Sequence, residues 1–188
     1  MILFILSGPS GVGKTTVIEE LLSKDFHLRY SVSHTTRDKR NGERDGKDYY
    51  FVSEEEFSKM RSRGDFLEWA KVFGDFYGTS KGELNKASGN DCDLIMDLDV
   101  QGAQQVRERL LDQRAVYIFL APPSKESLKA RFNSRNTESM EERDRRMQVA
   151  EREMNQAKKF DYLVVNKNLE DTIMKVESIV RAERCRIT

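Results

Sequence analysis

The octapeptide Gly8 to Thr15, G-P-S-G-V-G-K-T, follows directly on the apolar run Met1 to Leu6, and that succession constrains the fold more than any other feature of the chain. A short apolar run reads as a buried strand. A strand ending at Ser7, a glycine-rich turn and a helix beginning near Lys14 bring successive backbone N–H groups to one concavity at the positive end of the helix, a setting suited to multiply charged anions. Gly8, Gly11 and Gly13 permit positive φ and close approach of the backbone. The spacing G-x-x-x-x-G-K-T then assigns Lys14 to the β and γ phosphates of a nucleoside triphosphate and the Thr15 hydroxyl to Mg²⁺, with Pro9, Ser10, Val12 and Thr16 filling out the loop. The competing reading is a glycine-rich turn that holds no ligand. It accounts for neither the strand before the turn nor the helix after it.

The rest of the chain alternates in the same sense. Helix-like Thr15 to Ser23 follows the first strand, and strand-like Cys92 to Met96, Val116 to Ala121 and Tyr162 to Val165 are each followed by a helix-like segment. These are Gln101 to Leu111, Lys125 to Phe132 and a last stripe of Ile173, Val176, Ile179 and Val180. Alternation of this kind predicts an α/β fold in which a parallel sheet lies between two layers of helices. Helix starts are marked by Ser53 with Glu56, Ser80 with Glu83 and Ser139 with Glu142, each at capping-box spacing. The chain has 188 residues, enough for one core and too few for two large domains. We therefore expect a single domain whose core takes residues 1–31, 85–123 and 154–188.

Two stretches interrupt that core. Residues 32–84 are rich in Tyr, Phe, Arg and Gly, and their β-like runs (Ser31 to Ser33, Tyr49 to Val52, Phe66 to Val72) predict a small mixed sheet inserted to hold a substrate. Residues 124–153 are dense in charge and read as helices. Most of their arginines fit a solvated surface, and a minority fit a lid closing over phosphates.

Composition narrows the partners. With 32 basic and 32 acidic residues, nothing in the overall charge attracts the chain to nucleic acid or to an anionic membrane. Cys92 and Cys185 have neither the spacing of a metal site nor the number of a disulfide framework, which favours a reducing cytoplasm. The apolar N-terminal stretch is too short to span a bilayer and has no basic region ahead of it, so a cytoplasmic protein without membrane partners is expected. His27 and His34 lie near no plausible nucleophile and are read as structural. The oligomeric state has no signature in the sequence.

Leu94-Ile95-Met96-Asp97 is a strand ending in a carboxylate, the usual companion of such a loop, because Asp97 beside the Thr15 hydroxyl can hold the water shell of Mg²⁺. Other motifs accompany it: S-V-S-H-T-T-R at Ser31 to Arg37, G-x-x-x-G-K-D-Y at Gly42 to Tyr49 and F-L-E-W-A at Phe66 to Ala70. Y-G-T at Tyr77 to Thr79, D-L-D-V-Q-G at Asp97 to Gly102 and D-Y-L-V-V-N at Asp161 to Asn166 complete the set. Together, and along essentially the whole chain, they resemble the guanylate kinase family of P-loop nucleoside monophosphate kinases, which pass the γ-phosphate of ATP to GMP. The resemblance implies that Arg37, Arg40, Tyr49 and Tyr77 bind the acceptor phosphate, while Ser33, Glu68, Thr79 and Asp99 read guanine. It implies further that Arg131, Arg135 and Arg146 are lid arginines acting with Lys14 and Arg37 in catalysis, that Asn166 approaches the adenine of ATP, and that dGMP is also accepted. The chain departs from the family pattern at Lys39, at Asn136 and at Lys167 with Asn168.

The chemistry of those residue types agrees. Guanine presents N1–H and a 2-amino group, so two carboxylates can accept from both while a hydroxyl donates to O6. Adenine offers neither donor at those positions and would leave buried acceptors unpaired, at about 1 to 3 kcal/mol per group. A planar guanidinium engages two phosphate oxygens at once. The acceptor oxygen is already ionised near neutral pH, so no side chain has to remove a proton, and the work is alignment and charge neutralisation. Two other readings compete. Guanylate-kinase-like modules of scaffold proteins bind phosphopeptides without catalysis but generally lack the intact loop, and a related kinase acting on a sugar phosphate would have little use for Ser33, Glu68, Thr79 and Asp99.

Overall fold

The computed structural model describes residues 1–25, 27–89, 92–133 and 140–187, except for the side chains of residues 131–133 and 140–143. Five strands form an all-parallel sheet: β1 (Leu3–Ser7), β2 (Leu28–Tyr30), β7 (Asp93–Asp97), β8 (Ala115–Ala121) and β9 (Tyr162–Val165), in the order β2-β7-β1-β8-β9. Parallel pairing demands that both faces be covered, and β1 and β7 have apolar interiors, Leu3 to Leu6 and Leu94 to Met96, for that reason. Along β1, side chains alternate between two cores. Phe4 and Leu6 join Val17, Ile18 and Leu21 of α1 (Lys14–Lys24) and Ile173, Val176 and Val180 of α7 (Leu169–Arg184). Leu3 and Ile5 face the other way and meet Ala87 of α3 (Lys81–Ser88) and Ala103 and Val106 of α4 (Val100–Arg109). The fold is thus a helix–sheet–helix sandwich, and the last-helix stripe read from the sequence is core.

A second, mixed sheet of order β4-β3-β6-β5 comprises β3 (His34–Thr35), β4 (Tyr50–Phe51), β5 (Phe66–Val72) and β6 (Asp75–Ser80). Helix α2 (Glu54–Arg63) covers it by stacking Phe57 on Phe66 and Phe76, with ring centroids 4.4 and 5.4 Å apart. His34 packs against Tyr50 and Phe66. Helices α5 (Lys125–Asn133) and α6 (Met140–Met154) complete the described elements, with a 3₁₀ turn at Ala157–Lys159. No helix among the described residues is long and apolar enough to cross a membrane.

Three expectations are corrected. Ser31 to Ser33 is not a strand. The strand lies at Leu28–Tyr30 and belongs to the core sheet, because Leu28 is buried there and pairs with Asp93 on β7. Ser80 does start α3, but its side chain makes no capping bond. Glu83 is turned away to accept the Val32 N–H at 3.1 Å and to pair with Lys86 at 2.7 Å. The first strand begins at Leu3 and leaves Met1 exposed. At Ser53, by contrast, the side chain accepts the Glu56 N–H. The Ser139 and Glu142 pair lies outside the described residues.

Candidate active site

The carboxyl ends of β1 and β7 open onto a cleft of about 1100 Å³ between the two sheets. This is where an open α/β sheet holds its ligands, since the chain leaves β1 through α1 on one face and β7 through α4 on the other. The loop after β1 turns on Gly8, Gly11 and Gly13 at φ values of 141°, 75° and 105°. Gly8 cannot be replaced without strain, because a Cβ there would overlap the Leu120 carbonyl oxygen on β8. Helix α1 then starts from Gly13 with no side-chain cap and no acidic residue in its first turn. Helix α2 has Ser53 and three glutamates at that end, and α7 has Asn168, Glu170 and Asp171. The α1 terminus therefore keeps its positive end and its first N–H groups for an anion.

Lys14 arches back over the loop, donating to the Gly8 carbonyl at 2.7 Å and lying 3.7 Å from Asp97 Oδ1. Pairing of Leu6 with Asp97 sets this carboxylate at the level of the loop. Burial raises the Asp97 pKa above the ordinary carboxylate value, and Lys14 opposes the shift. Thr15 and Thr16 are exposed to the cleft. An all-oxygen pair of one carboxylate and one hydroxyl, completed by phosphates and water, is a donor set that fits Mg²⁺. Asn166 is buried and does not line the cleft. Its Nδ2 donates to the Val12 carbonyl at 2.7 Å and its Oδ1 accepts from Thr172 Oγ1 at 3.1 Å, which ties the loop to α7. Pro9 and Val12 are buried beneath the loop.

On the opposite wall, Arg37 is flanked by Tyr49 and Phe51 at 5.6 and 5.9 Å, and Tyr49 packs edge-on to Tyr77. Burial pushes the Tyr49 hydroxyl pKa upward, so Tyr49 offers a donor near neutral pH. Arg37, Arg40, Tyr49 and Tyr77 all line the cleft. Sequence reasoning missed their organiser, Glu43. It accepts from Arg37 Nη2 at 2.7 Å and from the Arg40 N–H at 2.8 Å, closing the loop that carries both guanidinium groups. The six-residue reach of this pairing has no periodic signal, although an acid among basic residues was visible.

Deeper in the cleft lie Ser33 and Glu68, and Thr79 is buried behind them without lining it: Ser33 and Thr79 share a hydrogen bond of 3.0 Å, and Glu68 accepts the Thr79 N–H at 2.8 Å. Asp99 caps α4 by accepting from the Gly102 N–H at 2.7 Å. Glu68 and Asp99 converge on Gly102. A Cβ there would meet Glu68 Oε2 at 2.6 Å and Asp99 Oδ1 at 3.2 Å. Burial raises the Glu68 pKa to about 7, with the Asp99 charge adding to it and the Thr79 bonds opposing it. Asp99 is raised chiefly by the same desolvation. Such a pocket holds two carboxylates ready to receive N–H donors and hostile to anything that cannot supply them.

Of the arginines expected in a lid, Arg146 lines the cleft with its guanidinium 5.2 Å from the Phe73 ring. The Arg131 side chain and the whole of Arg135 lie outside the described residues. Arg145 and Glu153 of α6 also line the cleft; Arg145 belongs to the charge-dense stretch read mostly as a solvated surface, and the family resemblance gave neither residue a role. Glu153 sits in reach of the fields of Lys14 and Asp99, and desolvation raises its pKa to about 7.

The family described as guanylate kinase matches residues 1–183 of this sequence. Guanylate kinase of Geobacter metallireducens is 45% identical over 185 residues, 98% of this chain and 90% of that protein. Guanylate kinase of Thermotoga maritima is 45% identical over 186 residues, 99% and 89% of the two chains. The crystal structure of guanylate kinase from Anaplasma phagocytophilum is similar with a TM-score of 0.80 at 34% identity, covering 98% of this chain and 87% of that one.

Proposed function

Because the chain belongs to the guanylate kinase family and is an enzyme that transfers the γ-phosphate of ATP to GMP, we propose an assignment of that reaction to the residues around the cleft. ATP enters on the Gly8 to Thr16 loop, with its phosphates on the bare start of α1. Lys14 exchanges its loop carbonyl for phosphate oxygens. GMP lies across from it, its phosphate held by Arg37, Arg40, Tyr49 and Tyr77 and its base by Ser33, Glu68, Thr79 and Asp99. The observation that carries the base assignment is the convergence of Glu68 and Asp99 on Gly102. No other pair of donors on a purine matches two adjacent carboxylates as N1–H and the 2-amino group do. Deoxyguanosine monophosphate has the same edge, so dGMP is a second acceptor.

The acceptor phosphate arrives ionised, and these residues align it rather than activate it. Lys14, the loop N–H groups and Arg37 and Arg146 oppose the charge on the moving phosphoryl group. Arg131 and Arg135 are assigned to the same task on the sequence motif alone. Thr15 and Asp97 would hold Mg²⁺, which would offset the charge on the phosphates. Asn166 supports the adenine side by fixing the loop. Cytoplasm, where these nucleotides are used, is the expected location.

The test is a coupled assay for ADP with ATP and, in turn, GMP, dGMP, AMP, CMP and UMP. GMP and dGMP should exceed the others in kcat/KM by about 10⁴-fold, as sites built on hydrogen bonds do. EDTA should abolish turnover and added Mg²⁺ restore it. Comparable rates with AMP would overturn the base assignment, and turnover in EDTA would overturn the metal one.

A further inference from the structure

Helix α4 carries more than Asp99. Asp99, Gly102, Gln105 and Arg109 recur at spacings of three and four, so they form one stripe along the helix, and this stripe lies against β5. β5 is the terminal strand of the small sheet, so among the described residues the backbone groups on its outer side have no strand partner. Trp69 is satisfied by a side chain that imitates one. Its N–H donates to Gln105 Oε1 at 3.3 Å, and its carbonyl accepts from Gln105 Nε2 at 2.7 Å. Two residues earlier, the Leu67 carbonyl accepts from Arg109 Nη1 at 2.7 Å. The residue between these two anchors is Glu68.

The local backbone explains why anchors are needed. Phe66 pairs with Ser80 and Glu68 with Thr79, so Leu67 is an extra residue that bulges from the β5–β6 ladder. A bulge re-aims the neighbouring side chain and weakens the register that would hold it. Glu68 is 4% exposed and its carboxylate packs on Gly102, where a shift of a fraction of an ångström would change its distance to any ligand.

We propose that Gln105 and Arg109 are positioning residues for guanine selectivity, setting the Glu68 carboxylate against Asp99 by clamping the bulged strand to the helix that Asp99 caps. This rests on the assignment of Glu68 to the base. Neither side chain touches substrate. Gln105 acts through the main chain beside Glu68, and Arg109 acts both through the main chain and through its charge, which favours the ionised Glu68 carboxylate.

The experiment compares kcat/KM for GMP with that for inosine monophosphate, which keeps N1–H and O6 but lacks the 2-amino group. The ratio does not depend on how much enzyme is active, so a general loss of folded protein leaves it unmoved. Gln105→Met should lower it about tenfold, the size of one misplaced buried hydrogen bond, mainly through a higher KM for GMP. Arg109→Met, on an exposed side chain, should lower it in the same direction, and it carries the test if Gln105→Met does not fold. Gln104→Met is the control, because Gln104 faces solvent and bonds Glu108 on the same helix. An unchanged ratio in both clamp variants, with a reduced ratio in Glu68→Gln, overturns the clamp and leaves the base assignment standing. An unchanged ratio in Glu68→Gln as well overturns both.

Discussion

Glu68→Gln should make the ligand-free protein more stable and a worse enzyme, and the stability gain should depend on pH. Glu68 sits almost wholly out of water with Asp99 beside it, and its pKa stands at about 7 against an ordinary 4.5. The native state therefore holds the proton more tightly than the unfolded chain does. Wild-type stability is full below pH 4.5 and falls as pH rises through 7, where the ionised carboxylate must be kept buried. Linkage converts the displacement into about 3 kcal/mol of cost at pH 8 and less than about 1 kcal/mol at pH 5. Glutamine has no proton to lose, and its Oε1 can still accept from Thr79. Urea unfolding without ligand should place Glu68→Gln above wild type by up to about 3 kcal/mol at pH 8, with the gap closing toward pH 5. The same variant should lose at least about tenfold in kcat/KM for GMP. A stability difference that is the same at pH 5 and pH 8, or a wild type that is the more stable at pH 8, would refute the account of a desolvated carboxylate kept for its ligand.

Gly8→Ala should cost at least about 3 kcal/mol in denaturant unfolding, because the new Cβ has both the Leu120 carbonyl and a φ of 141° against it. Asn166→Ala leaves a buried carbonyl on the phosphate loop without this donor, so it should lower stability by about 1 to 3 kcal/mol and raise KM for ATP more than KM for GMP. Lys14→Met should cut kcat by about 100-fold or more yet leave GMP binding within about twofold. The single tryptophan, Trp69, adjoins Glu68 and reports that binding by fluorescence.

The core was legible because its elements obey their own periods. β8 and β9 fall within a residue of the segments read from sequence, and α7 buries Ile173, Val176 and Val180 as the stripe required. The small sheet was only half visible. β5 matched, whereas β6 was passed over, since Asp75 to Ser80 mixes Asp, Gly and Ser with two aromatics and has no clean alternation. The signal that could have found it is the two-residue turn Phe73–Gly74, both at positive φ, which folds β6 back on β5. Site residues recognised through motifs mostly line one cleft, but the contacts that organise them were hidden. Glu43, Gln105 and Arg109 act on main-chain groups or across 36 to 42 positions of sequence, and no local pattern announces a side chain that completes someone else's strand.

The anchoring of β5 also sets the two borders of the small sheet apart. Strands β3 and β4, with Arg37, Arg40 and Tyr49 around them, are at the far side of the small sheet from α4. If Glu68 and Asp99 read the base as proposed, the purine end of the acceptor meets the border braced against α4, while its phosphate meets the Arg37 to Glu43 loop at the other border.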